Sequence, residues 1–182
     1  MKRVYEGEHL NVVEHDGWQF VERKPTNDAV AVVAETDDGQ LVLTEQFRRP
    51  VAARVIDFPA GLVGDEEGTD DPEETAKKEL EEETGFSCQS VELLCKGPSS
   101  PGITSEIVSL YRASGVRRTG EGGGVGGEDI EVHLVPKADL AAWLRERQEE
   151  GIMVDLKLAI YAAEQDLNRL VASGLEVLRN SK

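Results

Sequence analysis

No run of this chain approaches the roughly 20 consecutive apolar residues that a membrane-spanning helix needs. Its opening, MKRVYEGEHL, has no apolar signal-peptide core. A cytoplasmic location without a membrane partner is therefore expected. Cysteine is scarce: Cys88 and Cys95 match no metal-ligand spacing, and reduced, structural thiols are the expectation. Positive charge is also short. Against 36 Asp and Glu stand 20 Lys and Arg, a formal net charge of -16, which argues against a nucleic-acid partner. The same charge repels an anionic substrate unless bound cations reverse it locally. No internal repeat and no inter-domain linker divide the sequence. With 39% hydrophobic and 31% charged residues, the chain reads as one globular domain over 1–182, with 1–28 as an N-terminal strand segment.

What the chain does have is one densely punctuated stretch, FPAGLVGDEEGTDDPEETAKKELEEETGF, from Phe58 to Phe86. Asp71 is placed to cap a helix, Pro72 to occupy its first position and Glu74 to complete a capping box. Gly85 supplies the residue that most easily ends it. Between them Glu79, Glu82 and Glu83 fall at i, i+3 and i+4, so their carboxylates share one helical face. Such crowding costs a few tenths of a kcal/mol per pair on an open helix, and more where water is scarce. A cation must offset it, and all-oxygen ligands suit Mg²⁺ or Mn²⁺. A solvated acidic face is the plainer explanation in so acidic a chain; the residues around the cluster decide against it.

The run Lys78-Glu79-Leu80-Glu81-Glu82-Glu83-Thr84-Gly85-Phe86 closely resembles the second half of the Nudix box, and Phe58-Pro59-Ala60-Gly61 resembles its entry in the ADP-ribose pyrophosphatase branch. Three positions depart from that pattern. Lys78 replaces an arginine and loses the planar fork. Asp70 stands at the first acid position. A three-residue insertion between Gly61 and Asp71 reconciles Gly61 with Gly64 as the box glycine. The resemblance implies an α+β fold of the Nudix type, an α/β/α sandwich in which a mixed sheet is covered by the box helix and the C-terminal helices. It also implies Glu79 and Glu83 as metal ligands, then Glu82, with the Ala60 carbonyl as a further ligand and Lys78 orienting a box carboxylate.

The rest of the chain supports this layout. A short antiparallel pair turns at His15-Asp16-Gly17. A buried strand over 29–35 turns at Thr36–Gly39 into a strand over 41–44, and 54–58 leads into the box. Strands are expected at 91–94, at 106–111, and at Ile130, Val132 and Leu134, with His133 alternating outward. The six glycines between Gly120 and Gly127 are read as too flexible for regular structure. Helices are expected over 138–149 and 155–178, the second burying Leu156, Ala159, Ile160, Ala163, Leu167 and Leu170.

Hydrolysing a pyrophosphate also needs a base for the attacking water. Gly127-Glu128-Asp129-Ile130-Glu131-Val132-His133 resembles a loop run of the same branch, which makes Glu128 the candidate metal ligand or base, with Glu121 in reserve. Some relatives carry the base two residues earlier, where this chain has Gly126. By the same resemblance Arg48 contacts phosphate or ribose, and Glu106, in the turn Ser100–Glu106, is a possible substrate contact. Arg49 and Arg54 could equally be surface residues. Trp18 suits stacking on a nucleobase, or the core or a dimer interface. The expected activity is metal-dependent hydrolysis of a nucleoside diphosphate sugar, ADP-ribose to AMP and ribose 5-phosphate first. GDP-mannose or UDP-glucose pyrophosphatase is the alternative, and a non-catalytic Nudix-fold nucleotide-binding regulator is the different-class rival. The resemblance further implies a homodimer built through the N-terminal strands.

Overall fold

A computed structural model describes residues 1–64, 71–166 and 168. Asp70, and the expected helix beyond residue 168 with Leu170, lie outside the described residues, as does Leu167. The strands are β1 (Lys2–Glu6), β2 (Leu10–His15), β3 (Trp18–Arg23), β4 (Asp28–Glu35), β5 (Gln40–Arg48), β6 (Ala53–Asp57) and β7 (Ala60–Leu62). After helix α1 (Pro72–Thr84) come β8 (Phe86–Ser87), β9 (Ser90–Pro98), β10 (Ile107–Ser114), β11 (Arg117–Arg118) and β12 (Ile130–Pro136). Helix α2 (Leu140–Glu149) and β13 (Met153–Val154) follow, and a third helix, α3, runs over 156–166.

The central strand carries the logic of the layers. In β4, Val30, Val32 and Ala34 point to one face, where they meet Ala76 and Leu80 of α1. Ala31 and Val33 point to the other, against Leu140 and Leu144 of α2 and Leu158 and Ala162 of α3. Every residue from Val30 to Ala34 is therefore buried, which is why the strand reads as continuously apolar rather than alternating. The result is the expected α+β sandwich of helix, mixed sheet and helices. Along the main sheet the order is β13, β6, β5, β4, β10, β9, with β12 paired to β5 and β7 to β4.

One irregularity in that sheet positions everything that follows. β4 and β5 pair only near their shared turn, at Ala34 with Val42 and Glu35 with Leu41. Beyond it they part, and the next segment fills the gap by changing partner. As β6 it pairs with β5, Phe47 facing Arg54; past Phe58 and Pro59 it becomes β7 and pairs with β4, Ala31 facing Ala60.

Sequence periodicity misplaced two stripes. In α3, Leu158 and Ala162 are buried while Leu156 and Ile160 are 76% and 69% exposed. The helix starts at 156, with Lys157 tied to Asp57 of β6 at 3.0 Å, and Leu158 rather than Leu156 meets the sheet. In β12, His133 is turned inward, its side chain 17% exposed, whereas Leu134 is 42% exposed. Val135 is buried against the α2 side, and Val132 packs against the α1 core. The N-terminal segment forms a three-stranded sheet, β1-β2-β3, one strand more than the expected pair.

The corrected phase of α3 is testable by thermal or urea unfolding. Leu158→Ala should cost about 2–5 kcal/mol, the range for emptying a packed leucine site, while Leu156→Ala should change stability by no more than about 0.5 kcal/mol. Equal losses would return Leu156 to the core.

Candidate active site

Helix α1 is punctuated as its sequence dictates. The Asp71 side chain accepts the Glu73 N–H at 2.9 Å, Pro72 opens the helix, and Gly85 closes it with φ 72°. Glu74 departs from the capping-box expectation in one respect: its carboxylate takes Lys77 Nζ at 2.7 Å. With Ala76 and Leu80 fixed against the sheet, the face carrying Glu79 and Glu83 is turned toward the β6–β7 crossing.

There the backbone comes very close. A Cβ on Gly61 would lie 1.9 Å from Glu79 Oε1, so only glycine lets the strand pass beneath that carboxylate. Glu83, 7% exposed, accepts the Ala60 N–H at 3.0 Å. Burial pushes its carboxyl from 4.5 up to about 8. The Ala60 N–H opposes that rise, Glu79 adds to it, Arg48 opposes it and Glu128 adds to it. Four expected site residues, Ala60, Glu79, Arg48 and Glu128, thus act on the carboxylate of a fifth, Glu83. Glu82 sits one residue back on the helix, 3.7 Å from Lys78 Nζ, the neighbour expected to orient a box acid.

The glycine-rich segment is not simply loose. Gly123 and Gly124 donate to the carbonyls of Glu83 and Glu82 at 2.8 and 3.0 Å, and Thr119 and Gly120 both donate to Gly85 O. These are carbonyls that a helix end leaves without partners. Gly122 lies so close that a Cβ would meet the Thr84 carbonyl carbon at 2.3 Å. Close approach, rather than freedom, explains this glycine. Glu128 is exposed, and its carboxylate is folded back on the Val125 N–H at 3.2 Å.

Other expected contacts fall elsewhere. Trp18 is 63% exposed on β3 and, with His15, Phe20, Pro101, Thr104 and Ser105, lines an open cavity of about 320 Å³. Glu106 accepts Arg23 at 3.0 Å and the Ser99 hydroxyl at 2.7 Å, fastening the 99–106 turn to the N-terminal sheet.

Buried Glu45 and the half-buried ion cluster of Lys157 with Asp57 and Asp155 were missed from sequence. Glu45, 4% exposed, accepts Arg54 Nε on one oxygen, and its other oxygen lies 3.0 Å from His133 Nε2. A ligand atom from each of Glu45, Glu131 and His133 lies within 4.8 Å of the others, a spacing a metal could use. Arg54 already supplies that group with a cation. Lys157 donates to both Asp57 and Asp155, at 3.0 and 2.8 Å, joining α3 to β6. Burial alone would lower the Lys157 pKa, and the two carboxylates outweigh it to hold it above the usual lysine value. The available signal for Glu45 was an acid directly after the apolar run LVLT.

The donor set around Glu83 suits a hard divalent cation. Clustered carboxylates, one of them almost fully desolvated, leave negative charge that a cation would offset. Glu79, Glu83, Glu82, the Ala60 carbonyl and Glu128 are the residues that would hold it.

Comparison with known proteins supplies a family and a fold. The family described as NUDIX domain matches residues 25–155. The chain is 41% identical over 107 residues to a methanol dehydrogenase activator of Bacillus methanolicus, covering 59% of this chain and 56% of that protein. It is also 41% identical over 85 residues to an ADP-ribose pyrophosphatase of Bacillus subtilis, covering 47% and 44%. The chain thus spans about half the length of these curated relatives. A solved structure described as an ADP compounds hydrolase shares the fold, with a TM-score of 0.63 at 23% identity over 96% of this chain and 92% of that one.

The raised Glu83 pKa has a signed consequence. Native Glu83 keeps its proton to about pH 8, whereas the unfolded residue releases it near 4.5. The native state therefore binds more protons between those values, and metal-free stability falls as pH rises through this window. With a chelator present, Glu83→Gln should raise Tm relative to the parent at about pH 8.5 and much less at about pH 5. A shift of the same size at both would refute the burial effect.

Proposed function

The chain belongs to the NUDIX family, and on that premise we propose that it is a metal-dependent pyrophosphohydrolase of nucleoside diphosphate sugars, cleaving ADP-ribose to AMP and ribose 5-phosphate. The observation that carries this reading is the buried Glu83 carboxylate, flanked by Glu79 and acted on by both Arg48 and Glu128. A binding module has no need to bury an acid among acids. The named activities of the Bacillus subtilis relative and of the structural neighbour support the choice of an ADP compound.

When bound, Mg²⁺ or Mn²⁺ supplies the positive charge that neutralises the pyrophosphate. The chain's own residues do the rest. Arg48, exposed at the end of β5, offers a guanidinium to phosphate oxygens. Lys78 holds Glu82 in place. Glu128 leaves the Val125 N–H and takes the proton of the attacking water, or else joins the cation's ligands. Trp18 and the aromatic cavity beside it receive the nucleobase, with Glu106 fixing the turn that forms the far wall.

The same N-terminal sheet supports a homodimer, since Val4, Tyr5, Leu10 and Trp18 all stand exposed on it. Light scattering should give twice 19.9 kDa; a mass of 19.9 kDa with full activity at nanomolar enzyme would refute the dimer.

Turnover of ADP-ribose, GDP-mannose and UDP-glucose with Mg²⁺ tests the activity directly. AMP release from ADP-ribose as the fastest reaction is expected. Faster GDP-mannose or UDP-glucose cleavage would reassign the substrate, and tight nucleotide binding without turnover of any would make the chain a regulator. Glu83→Gln should remove most activity at saturating Mg²⁺, and near-normal turnover would sink the metal assignment. Glu128→Gln should lower kcat by about 10²-fold with little change in KM, the scale of a lost general base. An unchanged kcat with a raised KM would make Glu128 a binding contact.

A further inference from the structure

The segment that carries Glu128 is fastened at both ends. Its start is held by the N–H groups of Gly123 and Gly124 on the carbonyls of Glu83 and Glu82, the very residues whose side chains form the acid cluster. Its far end is held by Asp129, whose carboxylate lies 3.1 Å from Arg54 Nη1. Only residues 125–128 lie between these anchors, and the Glu128 carboxylate contact with Val125 falls inside that span.

Arg54 is itself unusually constrained for a residue with a 31% exposed side chain. Its Nε donates to the Glu45 carboxylate and its Nη2 to the Glu45 carbonyl at 3.2 Å. The Glu45 side chain is 5% exposed and is held from its other oxygen by His133, which also packs against Trp143 at 5.1 Å between ring centroids. The planar guanidinium thus has its orientation set by a buried acid, and its remaining edge points at Asp129. A lysine could not hold both directions at once. Asp129 is 85% exposed, so as an isolated ion pair the contact would add little stability. Its value lies in geometry, because one partner cannot move.

We propose that Arg54, braced by Glu45 and acting through Asp129, is a positioning residue that fixes the pivot from which Glu128 reaches the active site. The proposal rests on the catalytic reading of Glu128 given above. With both anchors in place, Glu128 needs to break only its two contacts with Val125 to swing toward Glu83. Without the far anchor the segment gains freedom, and productive placements become rarer.

Arg54 variants would strip a partner from buried Glu45 and risk the fold, so exposed Asp129 is the better place to cut. Asp129→Ala should leave Tm unchanged and KM within about twofold while lowering kcat by about 10-fold or more, the cost of a misplaced group. In a Glu128→Gln background the same substitution should have no further effect on kcat, because the residue it positions is gone. Asp129→Asn, which keeps an acceptor for Arg54, should recover most of the loss. An unchanged kcat in Asp129→Ala, or a loss that multiplies fully with Glu128→Gln, would overturn the proposal. Hydrogen exchange tests it apart from catalysis: in metal-free Asp129→Ala, the hydrogen-bonded amides of Val125 and Glu128 should exchange at least about tenfold faster while Gly123 and Gly124 stay protected. Unchanged exchange there refutes the anchor even if the enzyme is active. Faster exchange with no hydrolysis by the parent chain keeps the anchor and rejects the catalytic reading.

Discussion

The Glu83 carboxylate accepts the Ala60 N–H at 3.0 Å, and that contact exists because the chain changes its partner strand at Phe58 and Pro59. Had β4 and β5 stayed paired along their length, no gap would admit β7, and α1 would pack on an unbroken sheet with no backbone turned toward its acids. The parting of the two strands creates the crevice, and the crossing segment brings Ala60 and Gly61 to its floor. Gly61 is then the residue that lets Glu79 lie directly over the backbone. Fold and site are linked at this point. The two cores, one under α1 and one under α2 and α3, hold the strands of the fork from opposite sides.

A chain with 36 acidic residues ordinarily spreads them in water. Here several are withdrawn from it, and each withdrawal is compensated differently. Glu45 is matched by Arg54 and His133, and Asp57 by Lys157. Glu83 receives one backbone N–H and the distant influence of Arg48 against two neighbouring acids. Burial is the main cause of its raised pKa, and burial raises the Asp57 carboxyl too, so the contrast lies in the partners each acid has. The contrast separates acids that complete the structure from an acid left in want of a cation, although all three belong to the same sheet-and-helix framework.

Much of this was readable from residues whose chemistry is local. Asp71, Pro72 and Gly85 delimit a helix because capping depends on adjacent atoms, and the spacing of Glu79, Glu82 and Glu83 follows from helical pitch. The strand read over 29–35, observed as Asp28–Glu35, and its turn were visible for the same reason. What sequence misjudged depends on partners far away in the chain. Leu156 fits an apolar stripe as well as Leu158 does; only where α3 meets the sheet decides between them. His133 alternates outward on paper and turns inward because Glu45 and Trp143 wait on that side. The glycines after Gly120 suggested looseness, but their role comes from the end of a helix some 40 residues earlier in the sequence.

That docking has an electrostatic side. The carbonyls of the last helical turn form the negative pole of the α1 macrodipole, equivalent to about half an elementary charge. In α1 this pole lies at the same end as Glu82 and Glu83, and no basic residue occupies the last turn to soften it. The N–H groups of Thr119, Gly120, Gly123 and Gly124 take that place, setting their positive ends against the pole. The segment therefore helps set the field in which the acids sit. A relative with a shorter connection here would differ in its pull on a cation, not only in the reach of its loop.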